Sequence, residues 1–273
     1  DCLNKIIAKS AFVKMPQGTG SSDLGKSMDD TDTLVPTEWW DGTPISSDAP
    51  STSQQPPPLY TGWDWPKDCC PYYRTAFKKR SKRFVHSDGK PYYNLYKQLE
   101  DNVSTKYEKD DTLPEILSHM IPALFTTLKT LADSPQNVRF VFRTFGSDLP
   151  EIAKAVTAFA SGKHPAHPNF KNEHLLLNQT NIFRGRWTED GKLYQLWNHD
   201  LTEVLASGDK AIMQFLSDKP MCGVQDDYIF WRDNHYEPWA GKPVWVPSSR
   251  NVHHVLFDDN IHNLEHDSIA SVK

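Results

Sequence analysis

The chain has 273 residues, 38% hydrophobic content and a formal net charge of −5 at pH 7. That length and apolar share suffice for one large domain, or for a core carrying a sizeable insertion. The acidic balance excludes an overall basic field for nucleic acid, and no apolar run approaches the roughly 20 residues of a membrane span.

The chain opens on Asp1-Cys2-Leu3-Asn4-Lys5-Ile6-Ile7, a motif-like segment with no apolar run before it. A first strand of a sheet is expected to lie upstream of it. No charged-then-apolar leader begins the sequence. The four cysteines are Cys2, Cys69, Cys70 and Cys222, without the CxxC spacing of a zinc site. Reduced thiols in an intracellular protein, cytoplasmic or mitochondrial, are the expectation.

Residues 11–110 read as an irregular insertion or cap. Met15 to Ser53 is rich in Gly, Ser, Asp, Thr and Pro, and Gln54-Gln55-Pro56-Pro57-Pro58 reads as exposed polyproline II. Trp39-Trp40 and Trp63-Asp64-Trp65 interrupt this stretch. Their first role is core packing, and the insertion is also where protein partners are expected. Lys78-Lys79-Arg80-Ser81-Lys82-Arg83, flanked by Tyr72, Tyr73, Phe77 and Phe84, reads as a solvated helix face. The same run would permit an RNA-containing partner.

From Thr112 to Ala132, Leu113, Ile116, Leu117, Met120, Ile121, Leu124, Leu128 and Leu131 recur at helical spacing, with a kink expected at Pro122. Val138 to Arg143 predicts a strand, Thr144 to Asp148 a polar turn, and Leu149 to Ala160 a second helix capped by Gly162. This is a βα unit of a parallel sheet. Ile182 to Trp187 and Lys192 to Trp197 predict a hairpin around Glu189-Asp190-Gly191. Leu201 to Leu205 and Ala211 to Leu216 read as short helices or a strand, and Gln225 to His235 carries Asp226, Asp227, Tyr228 and Trp231 at helical spacing. Pro243 to Val246 predicts a short strand. Val252 to Phe257 predicts a buried one ending in Asp258-Asp259-Asn260.

Thr144, Lys242 and Asp258-Asp259 thus stand at strand edges. A hydroxyl and an ammonium suit phosphate oxygens, and paired carboxylates suit a hard cation such as Mg²⁺. Phe142-Arg143-Thr144-Phe145-Gly146, Gly241-Lys242-Pro243 and Phe257-Asp258-Asp259-Asn260-Ile261, in that order, resemble the haloacid dehalogenase-like (HAD) superfamily, most closely an uncharacterised eukaryotic group. The resemblance runs from about Thr112 to the C-terminus. It implies a Rossmann-like α/β fold, with a mostly parallel sheet flanked by helices and built from residues 1–10 and 111–273. It also implies that Thr144 and Lys242 bind the phosphate of a phosphorylated small molecule, and that Asp1, Asp258 and Asp259 hold Mg²⁺.

The first motif departs from the family pattern. Aligned on Asn4, Cys2 falls at the nucleophile position; aligned on Asp1, Leu3 falls where a polar residue belongs. A cysteine supplies no carboxylate oxygen, and leucine moves no protons. The expectation is therefore a catalytically weak or silent HAD-like component of a larger assembly. The alternative is an active Mg²⁺-dependent phosphohydrolase with Asp1 as nucleophile.

Overall fold

The computed structural model describes residues 2–15, 35–45, 57–60, 65–103, 112–246, 251–258 and 269–273, without the side chains of 76–79 and 118–119. The chain divides into two compact units, 1–103 and 104–273. The N-terminal segment expected in the α/β core groups instead with the unit that follows it. Cys2–Ser10 is a helix, α1, rather than a segment continuing a strand. Its Ile7 and Ala8 are buried with Trp39, Tyr72 and Phe84, which gives these apolar residues an interior of their own.

In that unit, β1 (Phe12–Lys14) pairs antiparallel with β2 (Cys69–Pro71). The helices α2 (Tyr72–Ser81) and α3 (Tyr93–Val103) follow. The core is aromatic: Trp39 meets Phe84 and Tyr92 edge-on, with centroids 6.2 and 5.6 Å away. Edge-to-face contact suits the ring quadrupoles. The expectation that Trp39 packs in a core therefore holds. Pro57, by contrast, is buried rather than exposed. The Tyr92 hydroxyl donates to its carbonyl at 2.9 Å, and the Trp40 indole N–H donates to the Pro58 carbonyl at 3.2 Å. A proline-rich backbone has carbonyls to spare, and two aromatic donors use them. Of the basic run, Arg80 is tied to Asp88, which also accepts from the Tyr72 hydroxyl.

The second unit is built on a five-stranded sheet of order β3-β7-β4-β5-β6. In chain order its elements begin with α4 (Pro122–Ala132), β3 (Phe140–Thr144) and α5 (Leu149–Ala160). Next come β4 (Ile182–Trp187), β5 (Tyr194–Trp197), β6 (Val204–Ser207) and α6 (Asp209–Ser217). The series closes with β7 (Met221–Gln225) and α7 (Tyr228–Asp233), then β8 (Lys242–Val244) paired in parallel with β9 (Ala270–Val272). The sheet is mixed rather than mostly parallel. β7 runs parallel to β3 and β4, while β5 and β6 are antiparallel additions. The reason is local: the short turn at 188–193, with Gly191 at φ +68°, permits only an antiparallel hairpin.

Strand alternation distributes the core over both faces. Ile182 and Met221 pack with Phe125, Val156 and Phe159 from α4 and α5, while Phe183, Cys222 and Val224 pack with Ile212 and Leu216 of α6. Helix α5 ends as the sequence predicts. Gly162 sits at φ +76° and donates to the Phe159 carbonyl, and Lys163 donates to the Ala158 carbonyl, a Schellman closure. Pro122, however, starts a helix rather than kinking one, and a 3₁₀ segment over Glu115–His119 precedes it. A proline at the first helical position removes no hydrogen bond, whereas one in the interior would.

The largest local departure is at 252–257. This apolar run forms no strand, and Phe257 is 87% exposed. The strand that pairs with β8 is β9, farther along the chain.

Candidate functional site at the ends of the parallel strands

Strands β3 and β7 are in register, Thr144 opposite Gln225, so the residues that follow each strand emerge together. The two strands are tied there by Asp226, whose backbone N–H donates to the Thr144 carbonyl at 2.7 Å. Ligands of α/β sheets bind beyond this end of the strands.

The tip of β7 holds the most tightly built polar cluster described. The Asp226 carboxylate, with no exposed side-chain surface, receives two bonds from Arg143: Nε at 2.9 Å and a terminal nitrogen at 2.5 Å. The Tyr194 hydroxyl donates to the same carboxylate. Arg143 also donates to the Pro243 carbonyl at 2.9 Å and stacks its guanidinium over Trp245. A buried carboxylate is tolerable only when paired and fully hydrogen-bonded, and this one is both. Burial works against the Arg143 charge, yet the pull and hydrogen bonds of Asp226 outweigh it and hold the pKa above the ordinary guanidinium value. Burial and then the Asp226 charge push the Tyr194 hydroxyl well above its usual range, so it remains a donor. Gly185 on β4 makes room for that hydroxyl: a Cβ there would lie 1.7 Å from it. The neighbouring Asp227 is structural too, accepting from Phe230 N–H at 3.1 Å as the cap of α7 and from Trp187 N–H at 3.2 Å.

Beside this cluster, Phe145 lies flat against Trp231, with centroids 4.8 Å apart and planes 8° apart. Lys242, 6% exposed, holds its ammonium 5.3 Å above the Phe145 ring and donates to Asp258 Oδ2 at 2.8 Å. Asp258 thus reaches Lys242 from an irregular segment, not from a strand end. Lys242 and one of the expected carboxylates, Asp258, thus meet beside Phe145, the residue that follows Thr144 in the chain. The Thr144 hydroxyl accepts from Gly146 N–H at 2.8 Å and donates to Asp148 at 3.0 Å, the bonding of a turn. The Trp231 indole N–H is buried with no hydrogen-bond partner among the described residues. Such an orphaned donor costs about 1–3 kcal/mol unless something accepts from it.

Asp1 and Asp259 lie outside the described residues. Among the described residues no group of three or more His, Cys, Asp or Glu side chains is placed to hold a metal ion. Asp226 is saturated, and the described oxygen partner of Lys242 is Asp258. These residues do not by themselves make a donor set for Mg²⁺, which requires near-octahedral oxygen ligation.

Sequence reasoning did not single out Arg143, Asp226, Tyr194 or Trp231 as a site. The available signal was Met221 to Val224, a short apolar run ending before Asp226-Asp227, the same form as the run before Asp258-Asp259. Comparison with protein-family models, curated proteins and solved structures finds no match to this chain. Among the described residues, no helix is long and apolar enough to cross a membrane.

Proposed function

We propose that the second unit is a HAD-like phosphate-recognition module with little or no turnover, acting as a binding component rather than as a phosphohydrolase. The observation that carries the reading is the corner itself. A nearly buried ammonium stands over the ring of Phe145, the residue after Thr144, and that ring stacks on Trp231, whose indole N–H has no acceptor among the described residues. An oxyanion would supply that acceptor and would compete with Asp258 for Lys242.

The carboxylates at the tip of β7 argue against turnover. Asp226 is locked by three donated bonds, and Asp227 is spent on a helix cap and a strand N–H. Neither is available to attack phosphorus or to carry a proton. What remains is what Lys242, Thr144 and Trp231 can do, which is to orient and neutralise a phosphoryl group. The second reading, an Mg²⁺-dependent phosphohydrolase using Asp1, rests on the same corner plus two acids beyond the described residues.

The test is equilibrium titration of the purified chain with inorganic phosphate, beside an aryl phosphate hydrolysis assay with Mg²⁺ and with chelator. The expected result is saturable phosphate binding, weakened about tenfold in Lys242→Gln by loss of one charge-assisted contact, and no turnover. Metal-dependent hydrolysis abolished by Asp1→Asn would establish the enzyme instead. Unchanged binding in Lys242→Gln would refute the corner as the phosphate site.

A further inference from the structure

The antiparallel half of the sheet carries a second polar cluster. Ile182, Arg184 and Arg186 alternate onto one face of β4. On β5, Trp197 stands opposite Arg184 and Gln195 opposite Arg186. Ile182 lies under α5 in the core, but farther along this face Arg184, Arg186, Gln195 and Trp197 are only half-buried.

Four features of this face are unusual together. The two arginines stand two positions apart on the strand, about 6.6 Å between their backbone positions. Their described hydrogen bonds go to backbone carbonyls: Arg184 Nε to His199 at 3.3 Å and Arg186 to Gly185 at 2.6 Å. Neither forms an ion pair among the described residues, although Asp200 is close enough to Arg184 to oppose the shift of its pKa. Burial, and then repulsion from Arg186, push the Arg184 guanidinium below its ordinary value. The Trp197 indole N–H and His199 Nδ1 are both buried without a hydrogen-bond partner among the described residues. Finally, an open cleft of about 940 Å³ adjoins the cluster, lined by Arg186, Gln195 and Trp197, by Trp187 and Leu193, and by the polar and charged side chains of the 188–192 turn, where Lys192 pairs with Asp190.

Like charges held side by side, with orphaned polar atoms beside them, call for an anion. An indole N–H buried without an acceptor is a cost that a ligand oxygen removes. Guanidiniums match phosphate oxygens in pairs. The cleft beyond is largely apolar and aromatic, suited to a flat ring.

We propose that this face of β4 and β5 binds a nucleotide-like ligand, with its phosphate between Arg184 and Arg186, an oxygen accepting from Trp197 Nε1, and its planar ring in the cleft against Trp187 and Leu193. This site is separate from the Lys242 corner and does not depend on it.

The experiment is titration of the full chain with adenosine monophosphate, read by tryptophan fluorescence and calorimetry. Adenosine and inorganic phosphate serve as the two half-ligands. The expected order is adenosine monophosphate tighter than either half. Arg186→Gln should weaken it about tenfold, and Arg184→Gln/Arg186→Gln about a hundredfold. Trp197→Phe should weaken binding without lowering the urea midpoint of the free protein, since it removes a donor that costs stability by lacking an acceptor among the described residues. Lys242→Gln should leave adenosine monophosphate affinity unaltered, which separates this site from the corner. Absence of binding by the wild type would overturn the proposal. So would equal affinity in the double arginine variant, or loss of binding in Lys242→Gln alone.

Discussion

Replacing Asp226 by alanine tests whether the cluster at the tip of β7 holds the sheet together. The substitution leaves the Arg143 guanidinium buried and uncompensated, a change that costs about 3–5 kcal/mol. It also deprives the Tyr194 hydroxyl of its acceptor, worth about 1–3 kcal/mol. The two losses share one carboxylate and do not simply add, so about 4 kcal/mol is the expected total. With a urea slope of about 2 kcal/mol/M, the unfolding midpoint of the second unit should fall by about 2 M. Asp227→Ala, one residue away, loses a helix cap worth about 1 kcal/mol and should shift it by about 0.5 M. The assay is urea denaturation followed by circular dichroism, with the first unit's transition tracked separately through its own aromatic signal. The Arg143→Met/Asp226→Leu double variant should recover much of the loss, because removing both partners leaves no buried charge. Equal midpoints for Asp226→Ala and Asp227→Ala would refute the argument that Asp226 is the keystone of a buried network.

The remaining expectations use the same kind of denaturation or labelling experiment. Gly185→Ala should cost about 2 kcal/mol despite the better strand propensity of alanine, because its methyl group displaces the Tyr194 hydroxyl; a neutral or stabilising result would refute the close contact. His164 packs against Phe125 and Phe159, and burial, then His167, lower its pKa from 6.5 to about 4. The unfolded chain therefore binds the proton first. The neutral histidine's contribution is intact above pH 6.5 and is lost as the pH falls from 6.5 towards 4, at up to about 1.4 kcal/mol per pH unit. His164→Asn, which keeps an acceptor for the Ala166 N–H, should flatten that slope in urea midpoints measured across the window. Burial pushes the Cys70 and Cys222 thiols up to about 12 and raises Cys69, while Cys2 is exposed. Iodoacetamide on the native protein should label Cys2 at least tenfold faster than the others, read by peptide mass spectrometry; rapid labelling of Cys222 would contradict its place in the core.

Local chemistry is what the sequence by itself determined. Helix α5, its Gly162 closure and the β4–β5 hairpin are set by contacts within a few residues, and each follows from periodicity, a positive-φ glycine or a short turn. The βα unit of β3 and α5 was legible for the same reason. Thr144, Lys242 and Asp258 were each visible as polar groups flanking apolar runs.

Strand pairing and burial were decided only in three dimensions. Met221 to Val224 and Val252 to Phe257 are both short apolar runs before paired aspartates. One became an interior strand, paired with β3 on one side and β4 on the other; the other forms no strand and leaves Phe257 exposed. No local signal separates them, since a strand's stability comes from its neighbours. The sheet direction was hidden likewise: a hairpin fixes β4 against β5, but nothing in either strand states that β7 will lie parallel on the other side of β4. Asp226 shows the same logic at a single residue. In sequence it is one of two adjacent acids at helical spacing. Only the meeting of β3, β5 and β7 brings Arg143 and Tyr194 to it, across 83 and 32 residues of chain, and makes it a buried structural anion rather than a surface charge.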